Sequence, residues 1–123
     1  MKLRLLLFGL ILLTGLSCKK ETVSSLANYQ GDESYTVIIG ENKVGYLKTN
    51  TAGDTINIDY DYKNNGRGPT MKETIVLNTE GYPISWSVTG NTTFGNAVDE
   101  KFSLEGNEAS WTDATGSGNA SVE

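Results

Sequence analysis

The sequence predicts an all-β fold, an antiparallel meander of about seven strands behind an N-terminal signal helix. Three observations carry this. Apolar and polar residues alternate with a period of two in several short runs, most cleanly in "TINIDYDYK". Glycine-, asparagine- and aspartate-rich breaks punctuate those runs at short intervals. No stretch beyond the leader sustains a 3.6-residue period.

Taken in order, "SYTVIIG" places Tyr35, Val37 and Ile39 on one face. "KVGYLKTN" follows after the short polar link Glu41-Asn42, and Gly53-Asp54 marks the next turn. Ile56, Ile58, Tyr60 and Tyr62 then share a face against Asn57, Asp59 and Asp61, the pattern of a half-buried strand with one wet side. "TMKETIVLN" sets Met71, Glu73, Ile75 and Leu77 against Lys72, Thr74 and Val76. Pro83 cannot donate to a ladder and belongs at a strand start or an edge. It opens "YPISWSVTG", with Ile84, Trp86 and Val88 on one side. "NTTFGNAVD" reads as a loop or bulged connection. "EKFSLEG" and "EASWT" complete the series, with Phe102, Leu104, Ala109 and Trp111 facing in. A sheet of this kind has one apolar face to cover and no predicted helix to cover it. A curved sheet, a half-barrel and a small sandwich all satisfy that demand.

The N-terminus divides from this domain by composition. Lys2 and Arg4 precede an apolar run from Leu5 to Leu16. At about 12 residues the run is too short to span a bilayer, which takes about 20, and it has the pattern of a secretory signal peptide. Residues 1–17 are therefore assigned to the leader, 18–33 to a polar tether, 34–113 to the β domain and 114–123, "ATGSGNASVE", to a flexible, linker-like tail of the kind that leads into a further domain. The leader ends at Gly15-Leu16-Ser17-Cys18 and resembles a bacterial lipoprotein signal, although Gly15 stands where leucine is usual. That resemblance implies lipid on Cys18, and Lys19 after it implies the outer membrane of the cell envelope. More than one acyl chain makes a stable anchor.

Composition excludes several chemistries. Removing Lys2 and Arg4 with the leader leaves 8 basic against 15 acidic residues, a net charge of −7. This argues against nucleic acid, whose phosphates are met by clustered cations. The chain has no histidine and one cysteine. His-based acid–base catalysis, Ser–His and Cys–His pairs, His-ligated zinc and an internal disulfide are all ruled out. No catalytic residue, metal ligand set or cofactor is assigned.

Four groups of residues invite a functional reading. Gly66-Arg67-Gly68-Pro69 lacks the third glycine of a dinucleotide loop and no helix follows it. It reads as a turn between strands or as a partner-docking loop in which Arg67, between Gly66 and Gly68, offers its fork of donors to a carboxylate or carbonyl. Asp59 and Asp61, with Glu73 or Asp54, are a candidate oxygen cluster for calcium, against the plainer reading of a charged wet face; Asp99-Glu100 is read the same way. Tyr60, Tyr62, Trp86 and Trp111, with Tyr46 and Phe102, either form the core of the sheet or line an apolar face for a lipid or sugar.

The block from Tyr60 to Ser103, above all Asn65-Gly66-Arg67-Gly68-Pro69 and the later Gly81-Tyr82-Pro83, resembles the β-rich N-terminal region of bacterial secreted amidohydrolases related to imidazolonepropionase. The resemblance covers roughly Tyr35 to Ala120. In that family metal ligands lie in a barrel that follows, and none of them has a counterpart in this sequence. The resemblance thus implies a non-catalytic accessory module of a membrane-anchored hydrolase, with the C-terminal catalytic domain as its partner. The alternative is a self-standing lipoprotein whose curved sheet binds an apolar ligand or a partner protein.

Overall fold

The computed structural model describes residues 30–122. The leader, Cys18 and most of the tether lie outside the described residues. Eight strands form one sheet in simple sequential order: β1 (Gly31–Ile39), β2 (Asn42–Ala52), β3 (Thr55–Tyr62), β4 (Thr70–Leu77), β5 (Pro83–Asn91), β6 (Ala97–Glu105), β7 (Glu108–Asp113) and β8 (Gly116–Ser121). Every neighbouring pair is antiparallel. β1 and β8 stand at opposite ends of the order, so the sheet is open. All eight strands belong to this one sheet, so the small sandwich among the expected geometries is not the one formed. No helix occurs among the described residues.

Two boundaries are corrected. β1 begins at Gly31 rather than Ser34, and Gln30 is already tied to the β2–β3 turn, where its Oε1 accepts from the Gly53 amide at 3.0 Å. More substantially, the segment expected to be a flexible tail carries the eighth strand. Its residues have poor strand propensity, so nothing in their composition announces it. What places them is local chemistry. The Asp113 carboxylate accepts from the amides of Thr115 (2.6 Å) and Gly116 (3.2 Å), closing a tight turn that reverses the chain. The Thr112 and Ser117 hydroxyls then meet at 3.1 Å, and Ser121 Oγ donates to Glu108 Oε2 at 3.1 Å.

The break between β3 and β4 is a hairpin turn. Asn65 and Gly66 both have positive φ, 51° and 75°, as a two-residue type I′ turn requires. Asn64 and Arg67 exchange both backbone hydrogen bonds across it, at 2.7 and 3.0 Å. Gly68 follows, buried, and a Cβ there would come within 1.9 Å of the Tyr62 carbonyl oxygen. Only glycine allows the two backbones to approach so closely. Pro83 opens β5, the position its missing N–H permits.

One-sidedness is the defining property of the packing. A domain normally buries one sheet face against a second layer. Among the described residues only Leu77, Val88 and Ala109 are buried hydrophobics, and no large side chain is fully enclosed. Trp86 and Trp111, which the sequence reads as either core or an apolar binding face, are each 40% exposed. They point the way the alternation indicated, but no second layer among the described residues covers them.

Candidate docking face

Residues directly opposite one another on adjacent strands share a face, so the registers assemble the two surfaces row by row. One row runs Ile56, Ile75, Trp86, Phe102, Trp111, Gly118 from β3 to β8. A second runs Tyr35, Leu47, Tyr60, Met71, Gly90, Val98 from β1 to β6. Tyr62 lies beyond it, opposite Gly45. Tyr60, Tyr62, Trp86 and Trp111 are therefore on one face, as the sequence expected, but in two groups. Tyr60 and Tyr62 pack with ring centroids 5.7 Å apart on β3. Trp86, Phe102 and Trp111 form a cross-strand aromatic ladder on β5 to β7. Ile75, Pro83, Trp86 and Phe102 border an apolar hollow of about 360 Å³ on this side.

Between those two rows lies a third that the sequence reading missed: Glu33, Thr49, Ile58, Glu73, Val88, Glu100. Three glutamates thus stand in line across the apolar face. Glu73 Oε2 accepts from the Trp86 indole N–H at 3.2 Å. Glu33 accepts from the Tyr35 hydroxyl, and that bond, with the charge of Glu33, raises the Tyr35 hydroxyl above its ordinary value. Burial, and secondarily the neighbouring Tyr62, raises that of Tyr60. The signal for this row was present in the sequence, since each glutamate alternates with apolar residues. Its alignment depends on strand register.

The opposite face is mainly polar, with Tyr46, Ala52 and Val76 among its polar residues. Lys48, Asp59 and Lys72 oppose one another on β2, β3 and β4. An open hollow of about 520 Å³ crosses this side, bordered by Asp32, Lys48, Asn50, Asn57, Asp59 and Lys72. Its groups bond mainly to each other: Asn50 Nδ2 donates to Asp32 Oδ1 at 2.6 Å and Thr74 Oγ1 to Asn57 Oδ1 at 3.0 Å. Tyr46 Oη lies 3.4 Å from Asp59 Oδ1, and Lys48 Nζ sits 4.8 Å from the Tyr46 ring centroid. Burial, then the charge of Asp59, raises the Tyr46 hydroxyl. This is a solvated face tied together by cross-strand pairs.

The calcium reading does not survive the geometry. Asp59 and Asp61 are on the polar face, whereas Glu73 is on the other. Asp61 is occupied by Thr70 Oγ1 at 2.6 Å and Lys63 Nζ at 3.3 Å. Among the described residues no group of three or more His, Cys, Asp or Glu side chains is placed to hold a metal ion.

The docking loop is also redrawn. Gly66 and Arg67 are exposed at the hairpin, while Gly68 is buried against Tyr62 and Pro69 is half-buried, its carbonyl accepting from Lys63 Nζ at 3.1 Å. Of the four, Arg67 alone has a charged side chain to offer a partner. Chemically, the molecule offers a broad apolar surface with a line of carboxylates, and a hairpin guanidinium at one end of the sheet. Comparison of the chain with protein-family models, with curated proteins and with solved structures found no match.

Proposed function

We propose that the chain is a non-catalytic docking module: its apolar sheet face lies against a second protein domain, and lipid on Cys18 holds the pair at the outer membrane. The observation that carries this reading is the uncovered face with Trp86 and Trp111 each 40% exposed. Contiguous apolar surface of this kind marks a protein or membrane contact. The resemblance of the Asn65–Pro69 block and of Gly81-Tyr82-Pro83 to the secreted amidohydrolases makes the partner the metal-binding barrel of such an enzyme. On that reading the module orients the barrel near the membrane and takes no part in bond cleavage.

The purified chain is expected to show no hydrolase activity with any divalent metal added. Metal-dependent turnover above a metal-only blank would defeat the proposal. The apolar hollow at Ile75, Pro83, Trp86 and Phe102 favours a second reading, a carrier of a lipid-like ligand. Native mass spectrometry of the detergent-free mature domain separates the two. An apo mass that self-associates or precipitates supports docking, while a co-purifying lipid supports the carrier.

A further inference from the structure

The two edges of the sheet are finished differently. A free edge is a row of unpaired N–H and C=O groups, which native sheets blunt with charges, prolines or bulges. β1 carries two of these devices, the acids Asp32 and Glu33 and a bulge between Val37 and Ile38. β8 carries none. Its residues include no charge and no proline, and its register with β7 runs unbroken from the pairing of Asp113 with Gly116 to that of Glu108 with Ser121.

The ladder decides which groups lie open. The Val122 amide donates to the Asn107 carbonyl at 2.8 Å. In an antiparallel pair such bonds recur at every second residue. Gly116, Gly118 and Ala120 therefore turn their backbone groups toward β7, while Ser117, Asn119 and Ser121 turn theirs outward. Those outward groups meet no strand among the described residues. Side chains follow the same alternation. Gly116, Gly118 and Ala120 lie on the Trp111 face, whereas the Ser117 and Ser121 hydroxyls reach Thr112 and Glu108 on the polar face.

An antiparallel strand added here meets a defined surface. Opposite Gly118 and Ala120 it forms non-hydrogen-bonded pairs, in which Cα atoms approach to about 4.5 Å. The two small residues leave room there for large apolar side chains, which continue the row Ile75, Trp86, Phe102, Trp111. Opposite Ser117, Asn119 and Ser121 it makes the ladder bonds and turns its side chains to the polar face. Edge and apolar face thus form one continuous surface. A second copy fits it poorly. β8 laid against another β8 brings only Gly116, Gly118 and Ala120 to the apolar side, and β1 of another copy brings its acids and its bulge. The chain's own N-terminal segment enters at β1, seven strand spacings of about 4.8 Å from β8.

Building on the docking reading above, we propose that the protein domain covering the apolar face also adds an extended segment to β8, with large apolar side chains opposite Gly118 and Ala120 and polar ones opposite Ser117, Asn119 and Ser121. Main-chain bonds give such pairing its strength, and alternate side chains give it selectivity.

The test holds the full chain in phosphatidylcholine nanodiscs and follows amide hydrogen exchange and tryptophan emission. The probe is a short peptide alternating threonine with valine, with a lysine at each end. A second peptide has the same sequence with its threonine amides N-methylated, which removes the donors that face β8. The first peptide is expected to slow exchange at Ser117, Asn119 and Ser121, and to bind roughly tenfold more tightly than the methylated one. Asn119→Pro removes an outward N–H and no bond to β7. It is expected to weaken the first peptide roughly tenfold, while unchanged exchange at Gly118 and Ala120 shows that β8 itself stays folded. Equal affinities for the two peptides, or binding that shifts tryptophan emission without slowing the three outward amides, overturn the edge inference and leave the docking reading standing. Slow exchange at those amides before peptide is added, growing with protein concentration, assigns the edge to a second copy and overturns it too. Binding of neither peptide also overturns it, and tryptophan emission already shielded by nanodisc lipid overturns the docking reading with it.

Discussion

The indole of Trp111 on β7 occupies the space above Gly118 on β8: a Cβ built on Gly118 would lie 2.6 Å from Cζ2 and 2.7 Å from Cε2 of that ring. The two residues are register partners. An aromatic ring over a strand glycine supplies the apolar cover that glycine lacks, and here it secures an edge strand made of small polar residues. Gly118→Ala forces the ring aside. The variant is expected to be less stable by about 1 kcal/mol, with tryptophan emission shifted to the red. Urea titration and fluorescence check both, and an unchanged midpoint would mean that Trp111 does not pin β8.

The hairpin at Asn65-Gly66 makes a graded prediction. Gly66 needs its positive φ of 75° but has open space around it, whereas Gly68 faces the Tyr62 carbonyl. Gly66→Ala is expected to cost about 1 kcal/mol, the penalty of a side chain in the left-handed region. Gly68→Ala drives a methyl into backbone and is expected to cost more, on the order of 3 kcal/mol. Asn65→Gly, which keeps the turn conformation, is expected to change stability little. Equilibrium unfolding ranks the three, and a reversed order for the two alanine variants would contradict the backbone account.

Stability should fall in acid, in a definite window. The hydrogen bond from Thr70 Oγ1, with the Lys63 ammonium assisting, holds the Asp61 carboxyl below its ordinary value of 3.8. The Thr115 hydroxyl and amide do the same for Asp113. A carboxyl whose folded-state pKa is depressed contributes stability that is complete above its unfolded value. That contribution is lost as pH falls through the folded one. The loss therefore begins near pH 4 and continues below it. Thr70→Val is expected to flatten this dependence partly and Asp61→Asn more fully, read from urea midpoints at pH 6 down to pH 3. An identical pH profile for Asp61→Asn would remove Asp61 from the account.

Much of the fold is legible in the sequence. Period-two alternation in "TINIDYDYK" and "YPISWSVTG" located β3 and β5 and placed Ile56, Tyr60, Trp86 and Val88 on the correct side, because side-chain alternation is a property of each strand alone. The same argument failed for Gly116–Ser121. There the ladder with β7, the Asp113-capped turn and the Trp111 ring act in place of strand propensity.

What the sequence determined by itself, then, is that the chain forms short antiparallel strands with one apolar side, and that it carries no imidazole. Only the tertiary structure decided which residues stand beside one another. Inter-strand register depends on turn geometry and the hydrogen-bond ladder. That register drew Glu33, Glu73 and Glu100 into a line, put Glu73 on the far side from Asp59 and Asp61, and left Trp86 and Trp111 on a face with no second layer among the described residues.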